Sequence, residues 1–483
     1  MGEEEYIPLR DIIRREPRAL QFMASRGYIV TARRRSTGKE RSVPLRSLLL
    51  NNPKFFRSSG DYDYFISPET ARVVEQAFPP AEHHHPDSHR DTSGITPDND
   101  PARKAADSPD TTTGQVRQKP PNFGSDYEEI LELVPEERAE LISGHAAELE
   151  ELAKADKPDI HTVNATLTLS TARTAMINKA TIQEALRMGN AEAQRHSASL
   201  VASTEKMVKS ACTLLANDLY KEDLIAELVQ RSNGTVVQHM TRVFLMGVSF
   251  LLYYNQQYAG TSLANRIRAH FAERYRSHYQ RLLPHVDESD LTLERVFWGG
   301  MRSLTLEEIR DFAMGYLVHD VGKTEDIEYH EGEEGFDREK VVRHVKIGYK
   351  AVMEKTVYPR EAALITGYHH EYYGAPSGYG YFRELLTRYK QMNPDAQIDH
   401  LMSYEMEPLI DYQVLAYFPA KMLEVIDVFD SLTDPNRLYR KPLTPDETIA
   451  VLRKDFVHEH VKVDPIILDL FEQFLHERGL IKS

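Results

Sequence analysis

Apolar positions recur at helical spacing from Tyr127 nearly to the C terminus. Leu131, Leu133, Val134, Leu141, Ile142, Leu149 and Leu152 open that pattern. Their three- and four-residue intervals predict helices with one buried stripe. Residues 165–208 carry few helix breakers and predict one or two amphipathic helices, either packed on the next domain or paired with a second subunit. The first 78 residues read differently. Residues 9–26 have helical periodicity interrupted by Pro17. Residues 27–35 are rich in β-formers, Ser36-Thr37-Gly38-Lys39 signals a turn, and residues 41–45 return as a second strand. Residues 79–122 hold Pro, Asp, Ser, Thr and His with almost no large apolar side chain, so they predict a disordered linker. The expected fold class is mainly α. Its organisation is a small basic α/β module (1–78), the linker (79–122), a helical region (123–230) and a C-terminal helical domain (231–483).

Composition narrows the setting. The chain has 483 residues, 41% apolar and 28% charged, ample for a sizeable core. Its longest strongly apolar run, residues 243–254, is too short to span a bilayer, so no stable membrane insertion is expected. The acidic start has no apolar signal region, and Tyr6 stands where myristoylation favours Ser or Thr. Cys212 is the single cysteine, which excludes an intrachain disulfide and a thiolate zinc finger and fits a cytoplasmic setting. The net charge is −15, yet residues 1–60 carry 13 Lys/Arg against 6 Asp/Glu. That leaves +7 on the N-terminal module and −22 on the remainder. This asymmetry argues against a uniformly nucleic-acid-binding protein. Arg33-Arg34-Arg35 lies beside the predicted turn. No base-reading motif accompanies it, so a solvated hairpin end or a protein partner is favoured over a nucleic-acid contact. His83-His84-His85 reads as a solvated linker tract rather than a metal site.

The C-terminal half holds the candidate chemistry. In order it presents His239, His319-Asp320, His344, His369-His370 and Asp427. Imidazole and carboxylate are the ligands that borderline and hard first-row metals use where thiolate is absent. A single helical His is usually a packing residue, but this set is too regular for that throughout. His319-Asp320 ends an apolar stretch, and Lys323 follows three residues later, within reach on a helical face and suited to a phosphate oxygen.

These residues resemble the HD-GYP family of the HD phosphohydrolase superfamily, over about residues 230–480. The likeness rests on six segments in family order. They are His239-Met240-Thr241-Arg242-Val243, His319-Asp320-Val321-Gly322-Lys323, His344-Val345-Lys346-Ile347-Gly348, His369-His370-Glu371, Gly378-Tyr379-Gly380 in place of Gly-Tyr-Pro, and Asp427-Val428-Phe429-Asp430-Ser431-Leu432-Thr433 followed by Arg437, Tyr439 and Arg440. The resemblance implies a helical domain with two or three divalent metal ions, usually iron or manganese. His239, His319, Asp320 and Asp427 resemble ligands of the first, and Asp320, His344, His369 and His370 ligands of the second, with Asp320 bridging. The implied activity is hydrolysis of cyclic di-GMP to linear pGpG or GMP in bacterial second-messenger signalling. Asp320 and Lys323 are the catalytic candidates. Lys323, Gly378, Tyr379, Arg437 and Arg440 are the candidates for holding the cyclic dinucleotide. Alternatives are a catalytically weak or inactive dinucleotide receptor that signals to a partner, and an HD hydrolase of another phosphoester. A homodimer through residues 127–230 is a further expectation.

The sequence also departs from the family pattern. Thr235 stands where some members have a third-metal Glu, which favours two metals. Gly380 replaces Pro and is expected to loosen the substrate-side turn. Residues 324–337 are acidic and lack the usual pattern. Fifty-seven positions separate His370 from Asp427, and the extra segment, residues 381–417, is expected to form a lid, a helical insertion over the pocket or a partner-binding element.

Overall fold

The computed structural model describes residues 7–9, 12, 23, 28–35, 39–45, 62–77, 130, 132–155, 158–217, 224, 236–323, 338–373, 378–434 and 441–482. The chain divides into two compact units, residues 1–126 and 127–483.

In the first unit, the period-2 alternation of Val30 and Ala32 with more exposed neighbours makes a strand with one buried face. Strand β1 is Ile7–Pro8, β2 Ile29–Arg34, β3 Glu40–Pro44 and β4 Tyr62–Ile66. They form an antiparallel sheet in the order β1-β4-β2-β3. Helix α1, Pro68–Ala77, follows. The expected hairpin pairs Ile29 with Pro44 and Arg33 with Glu40. Leu9, Ile12, Met23, Val30, Leu45, Ile66, Ala71 and Val74 make its core. The basic cluster is partly engaged within the sheet: Arg35 pairs with Asp63 at 2.8 Å, and the Arg33 guanidinium lies 4.9 Å from the centre of the Phe65 ring. Most of the expected helix at 9–26, the turn at 36–38 and the linker with its His83-His84-His85 tract lie outside the described residues.

The second unit is helical. Helix α2 is Pro135–Lys154, α3 Ile160–Ala185, α4 Asn190–Leu215, α5 Val236–Thr261 and α6 Leu263–Arg274. Helix α7 is Leu306–Val318, α8 Arg338–Lys355, α9 Arg360–Tyr368 and α10 Tyr381–Met392. Strands β5, His400–Ser403, and β6, Val414–Tyr417, pair in parallel. Helices α11, Phe418–Thr433, α12, Pro445–Val451, and α13, Pro465–Glu477, follow, with shorter helical turns between the longer elements. Local sequence sets several boundaries. Thr305 and Glu308 form a capping box at the start of α7, and Asp464 accepts the backbone N–H groups of Ile466 and Ile467 at the start of α13.

One continuous core runs from Ile130 to Ile481. The boundary expected at 230/231 therefore falls inside a single body. Helix α3 does not keep one solvated face: residues 174–178 are all buried, and α3 packs against α2, α4, α5, α7 and α8. Helix α5 is the centre of this body, with residues 239–251 buried without interruption. Among the described residues it is the one helix long and apolar enough to cross a bilayer, and 78% of its apolar window is buried in the fold. The helix thus extends well beyond the short apolar run, and its hydrophobicity is explained by helices on every side. Residues 381–417 do not stand off as a separate insertion. Phe382, Leu401, Met402, Leu409, Val414 and Tyr417 join the core, and Tyr404 donates or accepts a 2.6 Å hydrogen bond with Tyr254 of α5.

Candidate metal centre

Five helices converge on one buried point. Helix α5 brings His239 in its first turn. Helix α7 ends at His319, with Asp320 next, and α9 ends at His369, with His370 next. Helix α8 contributes His344, and α11 contributes Asp427. None of these seven side chains is more than 7% exposed. The turn after α7 approaches α8 so closely that a Cβ on Gly322 would lie 1.9 Å from the carbonyl oxygen of His344. Only glycine permits that approach, which places Asp320 against His344.

The donor atoms form two trios, His239–His319–Asp427 and His344–His369–His370, each with its atoms within 4.8 Å of one another. Asp320 lies between them. Its Oδ2 is 3.4 Å from His239 Nε2 and 3.6 Å from His319 Nε2. Its Oδ1 is 3.3 Å from His344 Nε2 and 3.8 Å from His369 Nε2. Asp427 also reaches both sides, with Oδ1 2.9 Å from His239 Nε2 and Oδ2 3.7 Å from His370 Nδ1. Asp320 Oδ1 and His370 Nδ1 are buried with no hydrogen-bond partner among the described residues. Orphaned lone pairs of this kind are costly unless a ligand satisfies them. The donor set is all nitrogen and oxygen, and it fits divalent first-row cations.

Hydrogen bonds behind the centre orient the rings. His319 Nδ1 is 2.8 Å from the Tyr316 carbonyl and His369 Nδ1 is 2.9 Å from the Thr366 carbonyl. Each ring donates there and turns Nε2 to the centre. His239 Nδ1 is 2.8 Å from Asp430 Oδ2, and Arg242 donates to both oxygens of Asp430, at 2.6 and 2.9 Å, and to Asp434 at 3.0 Å.

Electrostatics divides these histidines. Burial lowers the pKa of His319 to about 4 and holds that of His370 well below the usual range. Burial also opposes protonation of His239, but hydrogen bonds to Asp320, Asp427 and Asp430 outweigh it and raise that pKa to about 10. Burial disfavours ionised Asp320, yet Lys323 and the surrounding histidines hold its carboxyl well below the ordinary value. Asp427 is held low against the same burial, chiefly by His239 and His370. The result is a buried, ionised pair of carboxylates among imidazoles, which is what a cation replaces protons in.

The sequence-derived residues mostly meet here. All seven metal candidates converge, and Lys323 pairs with Asp320 Oδ2. Tyr379 places its ring 4.4 Å from the His370 ring at 33°, at the edge of the centre. Gly378 stands beside it. Thr235, Arg437, Tyr439, Arg440 and residues 324–337 lie outside the described residues. A Cβ on Gly380 would lie 2.3 Å from Glu371 Oε1, so glycine also makes room there for a buried carboxyl. Sequence reasoning assigned no role to Arg242, Asp430 or Asp434. The available signal was charge inside apolar helices at i, i+3 from His239 and at i, i+3, i+7 from Asp427, the spacing that shares one helical face.

Comparison with protein-family models, curated proteins and solved structures finds no match to this chain.

Proposed function

We propose that the chain is a divergent HD-GYP-type phosphodiesterase that opens cyclic di-GMP at a two-metal centre. The observation that carries this reading is Asp320: one carboxylate oxygen faces His239 and His319, the other faces His344 and His369. A carboxylate so placed is suited to bridge two cations. His239, His319, Asp320 and Asp427 would hold one ion; Asp320, His344, His369 and His370 the other. When bound, two divalent ions acidify a water and polarise phosphoryl oxygens.

The chain's own groups have separate tasks. Tyr316, Thr366 and Asp430 fix the ring orientations, so the donor atoms need no rearrangement. Burial excludes bulk water and strengthens each charge interaction. Lys323, whose side chain is 15% exposed, sits where its ammonium can neutralise charge developing on a phosphoryl oxygen. Tyr379 offers an aromatic face for a base, and Arg437 or Arg440 would hold the second phosphate of the ring.

The test is hydrolysis of cyclic di-GMP by metal-analysed protein, followed by chromatography of products, with Asp320→Ala alongside. Wild type is expected to yield pGpG or GMP and to lose activity when a chelator strips the metal. Asp320→Ala is expected to lose turnover by at least about 1000-fold, since both metal sites lose a ligand. Two bound metals with no product from any cyclic dinucleotide would sink the phosphodiesterase reading. Saturable binding without turnover would instead mark a receptor.

A further inference from the structure

The His-His-Glu stretch ends in a glutamate that belongs to neither metal trio. Glu371 is 5% exposed. Its Oε1 accepts the backbone N–H of Arg383 at 2.9 Å. The Arg383 guanidinium reaches back, donating through Nη2 to the carbonyl oxygens of Glu371 at 2.6 Å and Tyr372 at 2.8 Å, while Nε lies 3.5 Å from Glu371 Oε2. The first turn of α10 is thereby tied to the chain that leaves His370. Tyr372 takes φ +37°, a left-handed conformation unfavourable for a tyrosine, and its carbonyl is one of the two that Arg383 grips.

Two glycines let the chain close on this pair. A Cβ on Gly378 would lie 2.3 Å from the Glu371 carbonyl oxygen, and one on Gly380 would lie 2.3 Å from Glu371 Oε1. Tyr379, between them, donates its N–H to the His370 carbonyl at 3.0 Å, and Gly380 donates to the same oxygen at 3.1 Å. Its ring then lies beside His370 and near Tyr372, with centroids 4.4 and 6.3 Å away. His370, Glu371 and Tyr379 are thus tied together by hydrogen bonds of the backbone.

We infer that Glu371 and Arg383 form a clamp that positions Tyr379 beside His370, making Tyr379 the surface on which a base of the nucleotide ligand stacks. Both are positioning residues: neither touches the ligand. The identity of the ligand rests on the proposed function, while the clamp rests on contacts within the chain. Stacking on one aromatic side chain is worth roughly tenfold or more in affinity, so loss of the clamp has a measurable signature.

The experiment compares metal-loaded, full-length wild type, Arg383→Ala, Tyr379→Ala and the double variant. It measures metal content, affinity for the phosphorothioate analogue of cyclic di-GMP by calorimetry, and hydrogen exchange at the Tyr379 and Gly380 amides. Each single variant is expected to bind about tenfold more weakly with unchanged metal content, and the double variant no more weakly than Tyr379→Ala alone. Arg383→Ala is expected to speed exchange of both amides at least about tenfold, because their acceptor segment is released. Arg383→Lys, which keeps the charge but loses the fork, is expected to fall between. It carries the test if Arg383→Ala does not fold. Additive losses in the double variant, loss of metal from Arg383→Ala, or unchanged amide exchange would overturn the clamp. If wild type does not bind the analogue, the dinucleotide reading and the stacking role fall together. Amide exchange then decides the clamp alone.

Discussion

At the residue scale, the candidate metal centre depends on groups one layer behind the candidate ligands. His239 is flanked by three carboxylates, and Asp430 is the one that turns its ring. Burial works against ionised Asp430, but Arg242 and His239 overcome it and hold the carboxyl far below the usual range. An Asn in its place keeps the size and loses the charge. Asp430→Asn is expected to weaken metal binding about 10–100-fold, as losses of such orienting carboxylates do. It should leave the chain folded, because Arg242 keeps its contact with Asp434. Metal titration against a competing chelator, with circular dichroism beside it, measures both. Unchanged affinity would remove Asp430 from the design of the centre. Among the residues, the candidate ligands were legible because His and Asp pairs sit at helix ends and recur in order. The orienting residues were not, because Asp430 and Arg242 meet across 188 positions of chain.

At the element scale, α11 serves the centre with one face and a buried polar network with another. Lys421 and Glu424, one turn apart, pair at 2.7 Å, and Lys421 also donates to the Lys462 carbonyl at 2.9 Å. Burial raises the pKa of Glu424 to about 8, the Lys421 charge only partly opposing it. Burial likewise raises that of Asp464, the cap of α13, to about 6. Both folded values lie above the ordinary ones, so their stabilising contribution is full below those ordinary values and is lost as pH rises through the folded ones. Glu424→Gln keeps the neutral form at every pH. Metal-free Glu424→Gln is therefore expected to gain on metal-free wild type by roughly 1–3 kcal/mol between pH 5 and pH 8. Urea unfolding across that range measures the difference, and a gap that moves the other way would count against a protonated Glu424. The helix itself was foreseeable from its apolar run. The network was not, since a Lys and a Glu inside such a run read equally well as an exposed edge.

At the scale of the whole molecule, residues 1–126 and 127–483 each have their own core. Helices α2, α3 and α4 belong to the second core, where Gln183 reaches the Lys323 carbonyl at 3.5 Å and Gln194 the Glu354 carbonyl at 3.1 Å. A chain cut to residues 127–483 is expected to fold and to retain the metal content of the full chain. A chain starting at residue 231 is expected to aggregate, because α5, α7 and α8 would lose their cover. Circular dichroism, light scattering and metal analysis of the two chains separate these outcomes. A well-folded 231–483 chain would restore the boundary inferred from sequence.

Reading along the chain was enough to identify a mainly helical protein, a β-hairpin near its start and a cluster of metal-ligand types in its second half. Those features are local: period, turn residues and the chemistry of neighbouring side chains are all within a few positions. Which oxygen of Asp320 faces which trio, why Gly322 and Gly380 are glycines, and where one compact unit ends are not local. They follow from how closely helices far apart in sequence approach one another, and that distance is set by the packing of the whole core.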